Sequence, residues 1–301
     1  MKKTLIFTLA IVLAAGCTKE KSASDTASAF KLFLSTVDTK TTNDGLSTKW
    51  VNGDQLMVYH AVAGTTDYVK DGSGNTAGKY TITDADKGEA TPTTAPTLSE
   101  GSYDWYVFYR FNKNNTVTKS QAQIISQAPG ASSVQEGNSN MTHLAGTMFP
   151  LCGIAKNVKS TDNPTVHMKN VVSVVEFKIK NGLELMQVKK IEMTVPENIV
   201  GSFFINYSQE TPELTPNGTS VGNQAVLDVN GGENILSGEE ASFYLCIAPF
   251  TLKSGETMNI KVTVSDGVNE GSQTFDYVAT EDIDFKSGRI RPLNFTVNSI
   301  S

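Results

Sequence analysis

Arginine, histidine and cysteine are scarce in this 301-residue chain, and each scarcity removes a class of function. The only arginines are Arg110, Arg289 and Arg291, and the formal net charge is −6, so the basic face of a nucleic-acid-binding protein is not expected. The three histidines, His60, His143 and His167, lie too far apart for the ligand spacing of a zinc centre. Three cysteines are too few for a disulfide scaffold. No Gly-rich phosphate-binding loop is present, and no cofactor is expected. Charged residues reach only 19% and hydrophobic ones 39%, with Ser, Thr, Asn and Gly filling the difference. That bias suits strands joined by many turns. The length suggests two domains.

The N-terminus reads as an export signal. Lys2 and Lys3 precede an apolar stretch from Leu5 to Ala15, interrupted only by Thr8. It is shorter than the roughly 20 residues of a membrane-spanning helix. It ends in Leu13-Ala14-Ala15-Gly16-Cys17, small residues before a cysteine, which resembles a bacterial lipobox with its Leu one place early. Residues 1–16 are then a lipoprotein signal peptide, and Cys17 is the acylated first residue that holds the chain on the outer membrane. Several acyl chains anchor durably, at about 0.8 kcal/mol per buried CH₂. Residues 17–28 are Ser-, Thr- and Lys-rich and read as a flexible tether.

Short strand signals follow one another to the C-terminus. They include Ala29–Val37, Trp50–Tyr59, Lys79–Thr83 and the aromatic run Ser102–Phe111. Residues 129–140 are rich in Gly, Ser and Asn and read as a long exposed loop. Composition changes near 155–165, dividing the chain into domains 29–158 and 159–301. The continuous apolar run Val171–Ile179 suits a strand covered on both faces. Further strands are expected over Val188–Val195, Gly201–Ile205, Ala225–Val229, Ala241–Ala248, Thr257–Ser265, Gly271–Val278 and Pro292–Val297. The best helical candidate is short, around Thr280–Phe285. Regular short strands with this spacing predict an all-β protein built of two β-sandwich domains.

Catalytic patterns are weak. Gly218-Thr219-Ser220-Val221-Gly222 matches a nucleophile elbow, but lacks the strand before and helix after that the motif needs, and reads as a loop. Asp71-Gly72-Ser73-Gly74-Asn75 resembles the start of a calcium loop, yet Ile82 stands where the bidentate Glu belongs, so a solvated turn is the better reading. Cys152 and Cys246 lie in apolar settings and read as buried core thiols, with a disulfide between them as the alternative. The Tyr103–Tyr109 aromatics read as core with a cross-strand ladder, with a sugar-stacking platform as the alternative. An enzyme is not expected.

Three segments carry a family resemblance. The first is Phe30 to Tyr59, where a short strand and Thr39-Lys40-Thr41-Thr42 precede Trp50-Val51-Asn52-Gly53-Asp54-Gln55-Leu56-Met57-Val58. The second is Phe243–Phe250 followed by Ser254–Val262, and the third is Ser287–Phe295. Their order, with the lipobox, is similar to fimbrillin-like lipoproteins, the type V pilus subunits of Gram-negative anaerobes. The resemblance implies two tandem transthyretin-like (Greek-key) β-sandwich domains, export as a lipoprotein, and a place in a fimbrium at the cell surface serving adhesion. It implies that a protease removes the first strand and that the groove left behind takes the C-terminal strand of another subunit. The partners would be other pilus subunits, the outer membrane through the lipid, and a host glycan or protein.

The residues are consistent with that exchange. Phe30, Leu32 and Leu34 alternate, so the strand to be removed has one apolar side. Leu293, Phe295 and Val297 alternate in the same way in the expected donor, and Ser287–Ser301 would reach roughly 50 Å at about 3.3 Å per residue. Such a head-to-tail joint is open and builds a filament. Processing in the family often follows Arg; here Lys40 occupies the corresponding place. An uncut chain would keep its lipid and suit an anchor subunit, a tip role also being open. A surface lipoprotein that binds glycans is the alternative function.

Overall fold

The computed structural model describes residues 30–36, 49–65, 78–109, 117–118, 123–126, 129–144, 150–206 and 213–300. Cys17, Lys40, the signal peptide, the tether and the Asp71–Asn75 turn lie outside them.

The described residues form strands and one short 3₁₀ turn, Thr142–Leu144. The first half contributes β1 (Leu32–Thr36), β2 (Gln55–Val62), β3 (Gly78–Asp84), β4 (Glu89–Pro92), β5 (Ser102–Tyr109), β6 (Val117–Thr118), β7 (Gln123–Ser126), β8 (Ser132–Glu136), β9 (Leu151–Lys159) and β10 (Thr165–Asn170). The second contributes β11 (Ser173–Asn181), β12 (Leu185–Thr194), β13 (Val200–Asn206), β14 (Glu213–Gly222), β15 (Gln224–Asn230), β16 (Ile235–Leu236) and β17 (Glu240–Ile247). It ends with β18 (Phe250–Leu252), β19 (Thr257–Ser265), β20 (Glu270–Val278), β21 (Ile283–Phe285) and β22 (Ile290–Val297). The all-β expectation holds.

The first half differs from the expected β-sandwich. Its strands close into a barrel in the order β1-β10-β9-β5-β2-β3-β4, because β1 pairs with β10 on one side and β4 on the other. Strand β5 shows why the aromatic run is continuous: Tyr103, Trp105, Val107 and Tyr109 point into the barrel core, while Tyr106 and Phe108 point outward into a second cluster. Ile205 of β13 packs in that outer cluster. All seven residues of Tyr103–Tyr109 are buried, so they form core and offer no platform for a sugar.

The second half is a sandwich. A three-stranded sheet, β17-β11-β22, faces the path β20-β19-β12-β15-β8. Val175, Phe177 and Ile179 of β11 meet Ile191, Met193, Val262 and Leu227 in one fully buried core. The opposite-facing Val174, with Val172 before it, belongs to the barrel core instead. Only Val171 and Val172 separate β10 from β11, and both are buried.

Strand pairing crosses residue 158 in both directions. β10 pairs back onto β9 and β1, while β8 and β7 pair with β15 and β13. The stretch 129–140, expected as a loop, therefore contains a strand. Gln135 on that strand is buried, donates to the Gly137 and Ser242 carbonyls, and accepts from the Tyr244 N–H. The loop expected at Gly218–Gly222 is the end of β14, and Ser220 there lies on a strand with no helix after it. The helical candidate Thr280–Phe285 instead yields β21, which pairs with β18. Cys152 and Cys246 are buried free thiols rather than a disulfide.

Candidate functional site

The seat of β1 is a slot with two rims. On one rim β10 runs parallel, with Phe33 opposite Thr165 and Leu34 opposite Val166. On the other β4 runs antiparallel, with Leu32 opposite Ala90. The Phe33 N–H donates to the Pro164 carbonyl at 2.9 Å and the Leu34 N–H to the Gly88 carbonyl at 2.8 Å. Gly88 has φ +63°, and a Cβ there would run into the Leu34 carbonyl oxygen, so the rim approaches β1 as only glycine allows. Leu32 is 0% exposed and Leu34 5%, as their alternation predicts. Fully burying two leucines contributes about 1.5–3 kcal/mol each.

Phe30, just before β1, stacks on Trp105 with centroids 4.9 Å apart, and Trp105 stacks in turn on His60 at 4.7 Å. The apolar side of the segment thus fills the barrel core with three side chains. Its outer side carries Lys31, Phe33 and Ser35, of which Phe33 is half-buried and the other two make polar contacts. Lys31 pairs with Glu89 at 2.9 Å, the Lys31 N–H donates to Asn163 Oδ1 at 2.9 Å, and Ser35 Oγ lies 2.5 Å from His167 Nδ1. Such a rim pair adds about 0–1 kcal/mol, so it sets register more than stability. Sequence reasoning missed Gly88, Glu89 and His167, which have no local pattern that marks them.

The expected donor residues sit in β22, at the edge of the three-stranded sheet and parallel to β11. Val297 is fully buried, whereas Leu293 and Phe295 are half-buried against the sandwich core. The Phe295 ring lies 5.0 Å from Phe275 and 6.4 Å from Phe177. Val297 is further held by its carbonyl, which accepts from the Gly182 N–H at 2.8 Å. In this chain, then, β22 completes the sandwich of the second half. Both terminal strands carry the same alternation, and both run parallel to the strand beside them, β1 to β10 and β22 to β11.

The two seats also touch. Ile290, the first residue of β22, packs against the barrel core that holds Leu32 and Leu34. The Val174 N–H donates to the Arg289 carbonyl at 3.0 Å, and the Gly288 N–H to the Val172 carbonyl at 2.8 Å. Cys246 lies in the same core, where burial pushes its thiol well up and keeps it protonated and inert. Among the described residues no group of three or more His, Cys, Asp or Glu side chains is arranged to hold a metal ion.

No protein-family model and no curated protein matches the chain. Solved structures do. A "putative cell adhesion protein" from Bacteroides uniformis ATCC 8492 superposes with TM-score 0.55 at 15% identity, covering 89% of this chain and 92% of the other. A second protein of that description, from Bacteroides ovatus ATCC 8483, gives 0.52 at 13% identity, covering 89% and 91%. The tip fimbrial protein Mfa3 from Porphyromonas gingivalis, with C-terminal truncation, gives 0.44 at 13% identity, covering 90% and 96%. At these identities the likeness is one of fold alone.

Proposed function

We propose that this chain is a fimbrial subunit serving adhesion, made as an outer-membrane lipoprotein acylated at Cys17 and polymerised by strand exchange. Its two halves act as tandem transthyretin-like units. Cleavage after Lys40 releases residues up to and including β1, and the vacated slot takes Leu293, Phe295 and Val297 of another copy in place of Phe30, Leu32 and Leu34. The observation that carries this reading is that one five-residue strand closes the barrel and fills its core. Without it, β10 and β4 become unpaired edges above an open apolar groove, a template for an added strand. The cell-adhesion description of the two Bacteroides proteins of like fold fits the same role.

A chain truncated after Arg291 tests the reading. It lacks the donor side chains but keeps β1 and its slot, so it should be exported and lipidated like the wild type. It should fail to donate, and SDS-resistant ladders of cleaved subunits should stop at it. Ladders of wild-type length from the truncated chain alone would reject strand donation by β22.

A further inference from the structure

A cleft of about 330 Å³ opens on the second half, remote in sequence from β1 and containing no residue of β22. Its floor is apolar, with Phe203, Pro249 and Phe250, and its polar side chains are Glu197, Asn198, Lys253 and Thr251, the last already donating to Asp284 at 2.8 Å. The walls are fixed by backbone bonds: the Val195 N–H donates to the Asn223 carbonyl, the Ile199 N–H to Gly222, and the Ala248 N–H to Ile199. The loop that carries Glu197 and Asn198 is therefore pinned at both ends. Phe250 stacks on the buried Phe285 with centroids 4.5 Å apart and planes 7° from parallel, which leaves only its opposite face and edge for the cleft.

The polar groups differ in how they are used. Lys253 Nζ bonds Asp282 at 2.9 Å, yet the pair stays largely solvent-facing, so the ammonium keeps donors to offer. Glu197 and Asn198 are exposed and make no hydrogen bond or ion pair with the described residues. A carboxylate acceptor, an amide and an ammonium donor thus surround an aromatic and proline floor, in a volume at the lower end of small-molecule sites.

We propose that this cleft binds a neutral saccharide unit. A pyranose has an apolar C–H face for the Phe250 and Pro249 surface. Its hydroxyls both donate and accept, so one ligand satisfies Glu197, Asn198 and Lys253 together. An anionic sugar would meet the carboxylates of Glu197 and Asp282, whereas a neutral one leaves the Lys253–Asp282 pair undisturbed. The site does not depend on strand exchange and should work in the uncut monomer.

Saturation-transfer NMR on the uncut monomer tests it, with methyl glycosides of glucose, galactose, mannose and N-acetylglucosamine as millimolar probes. Sialic acid and a lysine-containing tripeptide are the comparison ligands. At least one neutral glycoside should receive saturation through its ring C–H face. Glu197→Ala and Asn198→Ala, exposed changes with unaltered melting, should each weaken binding by about tenfold. Saturation of none of the four glycosides, binding unchanged in both variants, or binding of the tripeptide or sialic acid in place of the glycosides would each overturn the assignment.

Discussion

The two terminal strands share a pattern and differ in their seats. β1 is hydrogen-bonded on both sides and is an interior stave of a closed barrel; β22 is bonded on one side and lies at a sheet edge. Leu32 and Leu34 are buried, while Leu293 and Phe295 are half-buried and only Val297 is enclosed. Taking β1 away leaves two raw edges and a hole in a core. Taking β22 away uncovers one edge and removes one enclosed side chain, Val297, with the half-buried Leu293 and Phe295. A slot of the first kind demands a replacement strand, and a strand of the second kind is the cheaper one to lend. In the proposed exchange, that asymmetry would set the direction of a filament.

The largest effect should come from deleting residues 30–36. Three core side chains and both rims' hydrogen bonds go at once, so the barrel should lose cooperative melting and Trp105 should become solvent-quenched. A synthetic peptide covering residues 288–300, added in trans, should restore the buried Trp105 emission. If the deleted chain melts like the wild type, β1 and β22 are alike after all and the contrast between their seats disappears.

Single truncations sharpen the contrast. Leu32→Ala should cost about 2–5 kcal/mol in urea unfolding, the range for a fully buried leucine. Leu293→Ala, already half in water, should cost roughly half as much or less. Equal losses would mean that the edge strand is as deeply seated as the stave. A smaller effect is expected from Gly88→Ala, at about 1–3 kcal/mol, because the φ of +63° and the Leu34 carbonyl both oppose a Cβ. It should also speed tryptic removal of β1 under native conditions, whereas Gly255→Ala, also positive in φ at +87° but with open space around it, should not.

The two strands were not equally legible in the sequence. The alternations of Phe30, Leu32 and Leu34, and of Leu293, Phe295 and Val297, could be read because each side chain's face follows from local spacing. The closure of the barrel could not, since β1 meets β10 across 132 residues and no local pattern encodes a parallel partner that distant. β8 hid for a different reason. Its buried face is Ser133 and Gln135, polar residues that a hydrophobic pattern assigns to solvent, and Gln135 is tolerated there by its hydrogen bonds to Gly137, Ser242 and Tyr244. The aromatic run of β5 is legible as core from its alternating rings, but its burial on both faces, with Tyr106 and Phe108 in a second cluster, is not. The contact of Ile290 with the barrel core was invisible, as its neighbours Arg289 and Arg291 give no apolar pattern around it.

Cross-linking between copies examines strand exchange most directly. If Leu293, Phe295 and Val297 occupy the places of Phe30, Leu32 and Leu34, then Asn298 occupies the place of Ser35, which lies 2.5 Å from His167 across the β1–β10 rim. One copy should carry Asn298→Cys and the other His167→Cys, both with Cys17→Ala; the remaining native thiols, Cys152 and Cys246, are buried and should not compete. After residues up to Lys40 are removed from the His167→Cys copy, mild oxidation should give a disulfide-linked dimer, and before removal it should give none. A dimer formed equally by the uncut chain, or no dimer after removal, would contradict exchange of β22 into the seat of β1.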